Sequence, residues 1–361
     1  MGVATVIPAE IRRLHDEAFV FDGHNDLALR LFAGEALDDR DGRGHLDLAR
    51  MRQGGLDGGI FAVWIDPDRP DPMGRALYGL ARLESMLDAH PAFHVVRESG
   101  DVAAARREGR IAAVPAVEGG YAVVESLSDV DRLHAAGMRC LTLTWMRPTA
   151  WADAAGAEPV HGGLSAFGKR VVERLASLGA VIDVSHASDA ATEGAIEVAR
   201  ALGVPLVASH SGVRSVADHP RNLPDRLLEE IARADGVIGI NFFSAYLDAE
   251  YGRAFRRLQE RAGPEGAWDT EALARACERE LAPVPIGTLL DHAERALRVA
   301  GPAHVGLGSD FDGVAALPEG LRDASDLPRV TAGLAERGFD ASVLGSFLGA
   351  NWLRVLDAVL P

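Results

Sequence analysis

Two polar residues near the start of the chain have the types and spacing of metal ligands. His24 and Asp26 lie two positions apart in the stretch FDGHND, directly after the apolar run AFVF at 18–21. In a β-strand alternate side chains point to the same side, so this imidazole and this carboxylate can reach one point together. Solvated His and Asp residues near a turn have the same spacing, so the pair alone does not identify a metal site.

Similar polar residues follow four other apolar runs, and these additional side chains favour the metal-site interpretation. They are Glu118 after the run at 111–117, His186 after 180–185, His210 after 205–209 and Asp310 at the end of 304–310. Three histidines and three carboxylates therefore occupy equivalent places on five runs. Neutral imidazoles combined with carboxylates suit a first-row divalent metal ion, zinc above all.

Six such groups are more than one tetrahedral zinc ion can use. Two ions about 3.5–4 Å apart, sharing a bridging carboxylate and a bridging hydroxide, would use them. A carboxylated lysine is excluded as the bridge because the one lysine of the chain, Lys169, belongs to a helical pattern. Glu118 is the glutamate at a suitable strand end, and Gly119 and Gly120 allow the backbone to turn away after it.

Eight short apolar runs must position these side chains. Each is rich in β-branched and aromatic residues, as is typical of strands buried on both faces of a parallel sheet. The runs lie at 18–21, 59–65, 111–117, 140–145, 180–185, 205–209, 237–243 and 304–310. Helical patterns separate them; for example, Val171, Leu175 and Leu178 share one helix face.

Eightfold strand–helix alternation predicts an α/β fold of the (β/α)8 TIM barrel type, with a doubly wound sheet as the main alternative. No Ser/Gly-rich linker or charge run divides the chain, so residues 1–361 are expected to form one domain. The segment 244–283 is longer than a simple connection, and we expect it to contain inserted helices that act as a lid. Catalytic residues of such barrels lie where strands end, which is where the six polar residues are found.

The composition restricts the partners of the protein. A formal net charge of −16 disfavours nucleic acid and anionic membranes. The two cysteines, Cys140 and Cys277, are too few for a disulfide framework or a thiolate metal site. The N-terminus lacks a signal-peptide pattern and no apolar stretch approaches eighteen residues, so we expect a cytoplasmic protein without a membrane span.

Nine short motifs follow one another along the chain. They are DGHNDL (22–27), VEGG (117–120), LTLT (141–144), WAD (151–153), GLSAFG (163–168), IDVSH (182–186), SHS (209–211), RNLPD (221–225) and GSDFDG (308–313). With these motifs the chain resembles the membrane (renal) dipeptidase family, the M19 metallopeptidases of the amidohydrolase superfamily, and especially its soluble bacterial members. The resemblance implies a (β/α)8 fold and two zinc ions per chain.

The resemblance also implies roles for individual residues. It assigns His24 and Asp26 to one zinc ion, His186 and His210 to the other, and Glu118 to the bridge between them.

It further implies that Arg221 binds the substrate carboxylate and that Asp310 transfers protons. Family members cleave dipeptides and often tolerate a D-residue on the C-terminal side. The chemistry agrees with these roles, because a guanidinium fork suits a terminal carboxylate. A carboxylate beside the bridging water can take its proton and pass it to the leaving amine.

Trp145 departs from the family pattern. Many members have a histidine after LTLT that is thought to stabilise the tetrahedral oxyanion. An indole donates one hydrogen bond but carries no charge at pH 7, so we expect a changed rate or substrate preference. Together with Asn241 and Tyr246, Trp145 is predicted to line the substrate pocket. Four further polar residues are expected to be structural, solvated or part of turns: His161, His219, His304 and Asp312.

The predicted function is a zinc-dependent dipeptidase that cleaves L,L and L,D dipeptides through a hydroxide bridging two metal ions. One alternative is another amidohydrolase that acts on a non-dipeptide amide, lactam or N-acyl amino acid. The other is a non-catalytic, zinc-holding binding protein, which is expected to have lost Asp310 or Glu118; this chain keeps both. The expected partner is a small dipeptide, with no nucleic acid and no membrane, and a homodimer is left open.

Overall fold

The computed structural model describes residues 7–38, 44–266 and 269–361, and eight of its parallel strands close into a barrel. The strands are β1 (Val20–Asn25), β2 (Leu56–Trp64), β3 (Phe93–Val95), β4 (Ile111–Glu118), β5 (Cys140–Thr142), β6 (Val181–Asp183), β7 (Val207–Ser211), β8 (Val237–Ile240) and β9 (Val305–Leu307). Around the barrel the order is β1-β2-β4-β5-β6-β7-β8-β9, and the pairing of β9 with β1 closes it. Strand β3 lies outside this ring and pairs with the first residues of β4.

The closed barrel confirms the predicted (β/α)8 fold and excludes the doubly wound sheet. Each of its eight strands falls on one of the eight apolar runs. Several runs continue beyond the strands they predicted; for example, β5 ends at Thr142 rather than at Trp145, and β8 ends at Ile240 rather than at Phe243. In both, the apolar residues that follow the strand lie in the loops above the barrel. Strand β3 was not predicted because His94 lies in its centre, so Phe93–Val95 is not a continuous apolar run.

Helices alternate with the strands and surround them. They are α1 (Ala9–Glu17), α2 (Leu27–Phe32), α3 (Leu48–Gln53), α4 (Pro72–Asp88), α5 (Ser99–Glu108), α6 (Leu127–Ala135), α7 (Ala166–Ser177), α8 (Asp189–Leu202), α9 (Asp225–Arg233), α10 (Ser244–Leu247), α11 (Ala249–Gly266), α12 (Thr270–Glu280), α13 (Ile286–Ala300), α14 (Leu327–Glu336), α15 (Ala341–Gly345) and α16 (Asn351–Val359). Helices α10, α11 and α12 occupy the segment in which inserted helices were predicted. Throughout the described ranges, no helix combines the length and apolar character needed to cross a bilayer.

Apolar side chains fill the N-terminal end of the barrel. One cluster combines residues from the strands, such as Phe21 and Val207, with Trp352 of α16. Gly349, two residues before α16, lies against the backbone of Phe19 ahead of β1, which puts this helix at the beginnings of the strands. The opposite end of the barrel, where the strands terminate, is thereby left for the polar residues.

Candidate active site

The five side chains predicted as metal ligands meet at the C-terminal mouth of the barrel. His24 lies in β1, Asp26 directly follows it, Glu118 ends β4, His186 follows β6 and His210 lies in β7. All five residues are buried, with at most 4% of their surface exposed. Parallel strands of a barrel end at one face, and this brings together ligands that are far apart in the sequence.

Glu118 divides these ligands into two groups. Its Oε2 lies 3.8 Å from Nε2 of His24, which is itself 3.7 Å from Oδ2 of Asp26. Its Oε1 lies 3.0 Å from Nε2 of His186 and 3.6 Å from Nε2 of His210. Each group directs three ligand atoms into one small volume, and the carboxylate belongs to both. This is the arrangement expected for two neighbouring metal ions with a bridging carboxylate.

The hydrogen bonding of these atoms fits a metal site. Nε2 of His24 and Oδ1 of Asp26 are buried without a hydrogen-bond partner in the described part of the chain. Such atoms are costly unless a bound group satisfies them. Nε2 of His186 and Nε2 of His210 lie 2.9 Å apart, and burial lowers the pKa of both rings well below the usual value. The imidazole form that binds a divalent cation is the neutral one.

The charges at the site also favour bound cations. Three carboxylates, those of Asp26, Glu118 and Asp310, are buried near one guanidinium, that of Arg221. Burial disfavours a charge on His24, but the carboxylates, Glu118 foremost, outweigh it and raise the pKa of His24 to about 10. Burial likewise raises the pKa of Glu118 well above its usual range. Bound cations would oppose these shifts, because they favour ionised carboxylates and a neutral imidazole.

A chain of hydrogen bonds that the sequence analysis did not assign orients His210. Its Nδ1 lies 2.8 Å from the hydroxyl of Ser209, which donates to Oδ2 of Asp183 at 2.7 Å. The hydroxyl of Thr142 donates to the same Oδ2 at 2.6 Å, and the N–H of Ser209 donates to Oδ1 at 2.8 Å. With one ring nitrogen held in this way, the other faces the predicted metal positions.

Asp22 and Ser309 form a second buried pair of the same kind. The N–H and the hydroxyl of Ser309 donate to the two carboxylate oxygens of Asp22 at 2.7 and 2.6 Å. The pair joins the strand that carries His24 to the loop that carries Asp310. Asp22 and Asp183 both lie inside apolar strands. A carboxylate buried there requires hydrogen-bond donors, so this position in the sequence could have indicated that both residues form buried hydrogen bonds.

Asp310 lies beside the ligand cluster in a strained conformation. Its backbone φ is 62° and that of His186 is 66°, both in the left-handed region that non-glycine residues rarely adopt. A Cβ atom on Gly313 would lie 2.1 Å from Oδ2 of Asp26 and 2.6 Å from Oδ1 of Asp310. The absence of a side chain at position 313 thus allows the two carboxylates to lie side by side.

Asn241 positions Asp310 and does not line the pocket. Its side-chain amide donates to Oδ2 of Asp310 at 2.9 Å, and its amide oxygen accepts from the N–H of Phe243 at 2.6 Å. Asn241 is fully buried and is not among the residues that line the cavity, which favours a supporting role over the predicted contact with substrate. Asp312 accepts a hydrogen bond from the N–H of His45, as a residue that organises a turn does.

A cavity of about 400 Å³ opens above the ligand cluster, and Arg221 and Tyr246 form one of its sides. Arg221 is only 3% exposed, and its guanidinium carbon lies 5.3 Å from the centre of the Tyr246 ring. Nη2 of Arg221 donates to the carbonyl oxygen of His210 at 3.0 Å, whereas Nε has no hydrogen-bond partner within the described ranges. The guanidinium therefore retains a donor for a ligand.

Two tryptophans form an apolar side of the cavity. The rings of Trp64 and Trp145 meet edge to face with their centres 4.8 Å apart, and the Trp145 ring lies 6.2 Å from that of His186. The structure thus places Trp145 on the cavity wall, three residues beyond the end of β5. Trp64 was not predicted, because one more aromatic residue at the end of an apolar run gives no signal of its own.

The three histidines that were expected to be structural or solvated differ in whether they line the cavity. His219 stacks on Tyr246, with ring centres 4.7 Å apart, and lines the cavity. The sequence analysis did not place this residue at the cavity. A ring nitrogen of His161 contacts a backbone carbonyl oxygen at 3.0 Å, and one of His304 does so at 2.9 Å. Neither of these two residues lines the described cavity.

A (β/α)8 barrel whose C-terminal mouth holds buried histidines and carboxylates defines a metallohydrolase of the amidohydrolase type. The sequence profile of the membrane dipeptidase family, peptidase family M19, matches residues 8–360. The chain belongs to this family and is a dipeptidase of the metallopeptidase class, which confirms the resemblance drawn from the motifs.

Individual relatives agree with this assignment. The chain is 30% identical over 360 residues to dipeptidase verJ of Clonostachys rogersoniana, covering 94% of this chain and 84% of the relative. It is similar to the crystal structure of "the dipeptidase AC", a metallo peptidase of family M19, with a TM-score of 0.79, 29% identity and coverage of 95% and 99%. A metallo peptidase from Rhodobacter sphaeroides, liganded with a phosphinate mimic of the dipeptide L-Ala-D-Ala, gives a TM-score of 0.79, 28% identity and the same coverage.

The position of Trp145 predicts a specificity effect. Trp145→Ala is expected to change the relative kcat/KM among dipeptides with different side chains, because it removes apolar surface above the ligand cluster, while metal content stays the same. The loss of a transition-state hydrogen-bond donor typically costs about 3 kcal/mol. Val160→Ala, which truncates an exposed apolar side chain that does not line the cavity, serves as the control. An unchanged substrate profile in Trp145→Ala would show that the ring only packs.

Proposed function

We propose that this dipeptidase is a binuclear zinc enzyme that cleaves L,L and L,D dipeptides. The observation that carries the proposal is that the two carboxylate oxygens of Glu118 face different groups of side chains. Its Oε2 faces His24 and Asp26, whereas its Oε1 faces His186 and His210. Three imidazoles with two carboxylates form a donor set that suits zinc. When bound, two such ions supply a nucleophilic hydroxide near neutral pH and polarise the scissile carbonyl.

The residues around the metal positions perform the remaining steps. Asp310, held by Asn241, accepts a proton as the attacking water adds to the peptide carbonyl and donates it to the amine that leaves. The nearly complete burial of Arg221 excludes water around its guanidinium, which strengthens its hydrogen bonds to the C-terminal carboxylate of the substrate. The tryptophan side of the cavity provides apolar contact for a substrate side chain.

Cleavage of L,D dipeptides is supported by a relative and by the cavity. The Rhodobacter sphaeroides metallo peptidase binds a phosphinate mimic of L-Ala-D-Ala, and the barrels superimpose over 95% of this chain. When Arg221 holds the terminal carboxylate of the substrate, one substituent of the C-terminal α-carbon is fixed in position. The direction of the side chain on that carbon is then limited only by the width of the cavity. A cavity of about 400 Å³ has room for either configuration.

The inserted helices contribute to the same cavity, and we propose that they act as a lid. Gly252, Phe255 and Gln259 of α11 line its wall, as do Thr270 and Leu273 of α12. Covering the site with these helices limits the access of water to the reacting groups.

Arg221 provides a direct test of the proposed substrate class. Arg221→Met is expected to raise KM for dipeptides at least about 10-fold, since a charge-assisted hydrogen bond is worth roughly 1.5–3 kcal/mol, and to change kcat less. The wild-type enzyme should cleave a C-terminally amidated dipeptide poorly, because the amide removes the charge that Arg221 binds. Arg214→Met is the control, since Arg214 pairs with Asp189 at 2.7 Å and does not line the cavity. Equal cleavage of amidated and free dipeptides would assign Arg221 another function.

A further inference from the structure

Arg256 is a second cation on the wall of the catalytic cavity. It lies in α11 and lines the cavity together with Gly252 and Gln259 of the same helix. These residues are spaced i, i+4 and i+7, so they share one helix face. The face is turned toward the barrel, because a Cβ atom on Gly252 would lie 3.7 Å from Cδ2 of His219.

Arg256 lies at the end of the cavity that Arg221 occupies. Two ring contacts connect Arg221 to His219: His219 stacks on Tyr246 with ring centres 4.7 Å apart, and Arg221 lies 5.3 Å from the centre of the same Tyr246 ring. The helix face that carries Arg256 lies against His219 at Gly252. Burial lowers the pKa of His219 to about 4, and the charges of Arg221 and Arg256 contribute to the shift. His219 is therefore a neutral ring close to two guanidinium groups.

The charge of Arg256 is not neutralised by a neighbouring carboxylate. Arg256 is exposed and forms no ion pair with any residue in 7–38, 44–263 or 269–361, whereas Arg261, one turn and one residue further along α11, pairs with Glu280. A guanidinium presents a planar set of donors that matches a carboxylate. Because Arg256 lines the cavity, its N–H donors are available to a bound substrate.

We propose that Arg256 selects dipeptides whose C-terminal residue has a carboxylate side chain, aspartate or glutamate. The inference rests on the proposed function, in which Arg221 anchors the α-carboxylate of that residue. With the α-carboxylate on Arg221, the side chain of the C-terminal residue lies on the Tyr246–His219 side of the cavity. A carboxylate there meets Arg256, and each of the two acidic groups of the substrate then has its own guanidinium.

A pair of nearly isosteric substrates tests the inference. Ala-Glu and Ala-Gln differ in one charge, and the wild-type enzyme is expected to prefer Ala-Glu by up to about 5-fold in kcat/KM, as an ion pair formed by a solvent-exposed arginine predicts. Arg256→Gln should reduce this ratio to near one while kcat/KM for Ala-Gln and the metal content stay close to the wild-type values. Arg257→Gln is the matched control, because the neighbouring Arg257 is exposed on the same helix and does not line the cavity. Higher ionic strength should weaken the preference, since Arg256 is exposed.

The outcomes separate this inference from the proposed function. Equal cleavage of Ala-Glu and Ala-Gln by the wild-type enzyme would overturn the role of Arg256 and leave the dipeptidase function standing. A proportional loss of activity on both substrates in Arg256→Gln would also overturn it, because Arg256 would then bind a group that both dipeptides share. Cleavage of neither dipeptide by metal-loaded wild-type protein would contradict the proposed function itself.

Discussion

Glu118→Gln is expected to release both metal ions and abolish dipeptidase activity together. Glu118 is the residue whose two oxygens face different ligand groups, His186 at 3.0 Å and His24 at 3.8 Å. An amide offers one neutral oxygen and an N–H group that cannot bind a cation, so the substitution removes a ligand from both positions at once. We expect kcat/KM to fall at least about 10³-fold, which corresponds to about 4 kcal/mol of transition-state stabilisation. Elemental analysis of the purified proteins should show about two zinc ions per wild-type chain and fewer than one in the variant.

A buried carboxylate outside the site provides the control for this experiment. Asp326 is 6% exposed and pairs with Arg322 and Arg329 at the beginning of α14. Asp326→Asn removes a similar buried charge and is expected to affect stability while the metal content remains at the wild-type level. A fully active preparation of the wild-type protein without metal would contradict the binuclear proposal. A Glu118→Gln variant that retained two ions would show that Glu118 does not bridge them.

The sequence predicts the barrel and the meeting of the five polar side chains at its mouth well because both depend on local patterns. Buried parallel strands are nearly continuous apolar runs, and a polar residue at the end of such a run is conspicuous. Once the runs are assigned to one barrel, the topology alone brings residues as distant as His24 and His210 to the same mouth. Strand ends are less well determined, as at Trp145, because the residues that follow a strand into a loop can be equally apolar.

The residues that support and line the site are less accessible to sequence analysis. Asn241 was predicted to contact the substrate because it follows a strand. Its side chain instead forms a hydrogen bond with Asp310, which is 69 residues away in the sequence. His219 and Arg256 come from a loop and from an inserted helix, and their proximity depends on how α11 packs on the barrel. No periodicity in the sequence specifies that packing. Such contacts follow from tertiary structure, whereas the strand-end ligands follow from topology.

The second large effect is expected at Asp310. Asp310→Asn should retain the metal ions and lower kcat by about 10²–10⁴-fold, the usual contribution of a general acid–base group. Asparagine has nearly the same shape but cannot take up the proton that the attacking water loses. Steady-state kinetics on a dipeptide, combined with elemental analysis of the same samples, measure both quantities. Asp312→Asn is the matched control: Asp312 is buried and also has a left-handed backbone, with φ of 67°, but it bonds to the N–H of His45 and does not line the cavity.

The dependence of kcat on pH distinguishes proton transfer by Asp310 from a structural role. Burial raises the pKa of Asp310 to about 6, and bound divalent cations would lower it again. A general base must be ionised, so wild-type kcat should be constant above the pKa of Asp310 and fall about 10-fold per pH unit below it. In Asp310→Asn no carboxyl group titrates at this position, so the acidic decline should disappear from the remaining activity as long as the metals stay bound. An unchanged acidic decline in the variant would assign the wild-type titration to another group, and Asp310 would then not be the base.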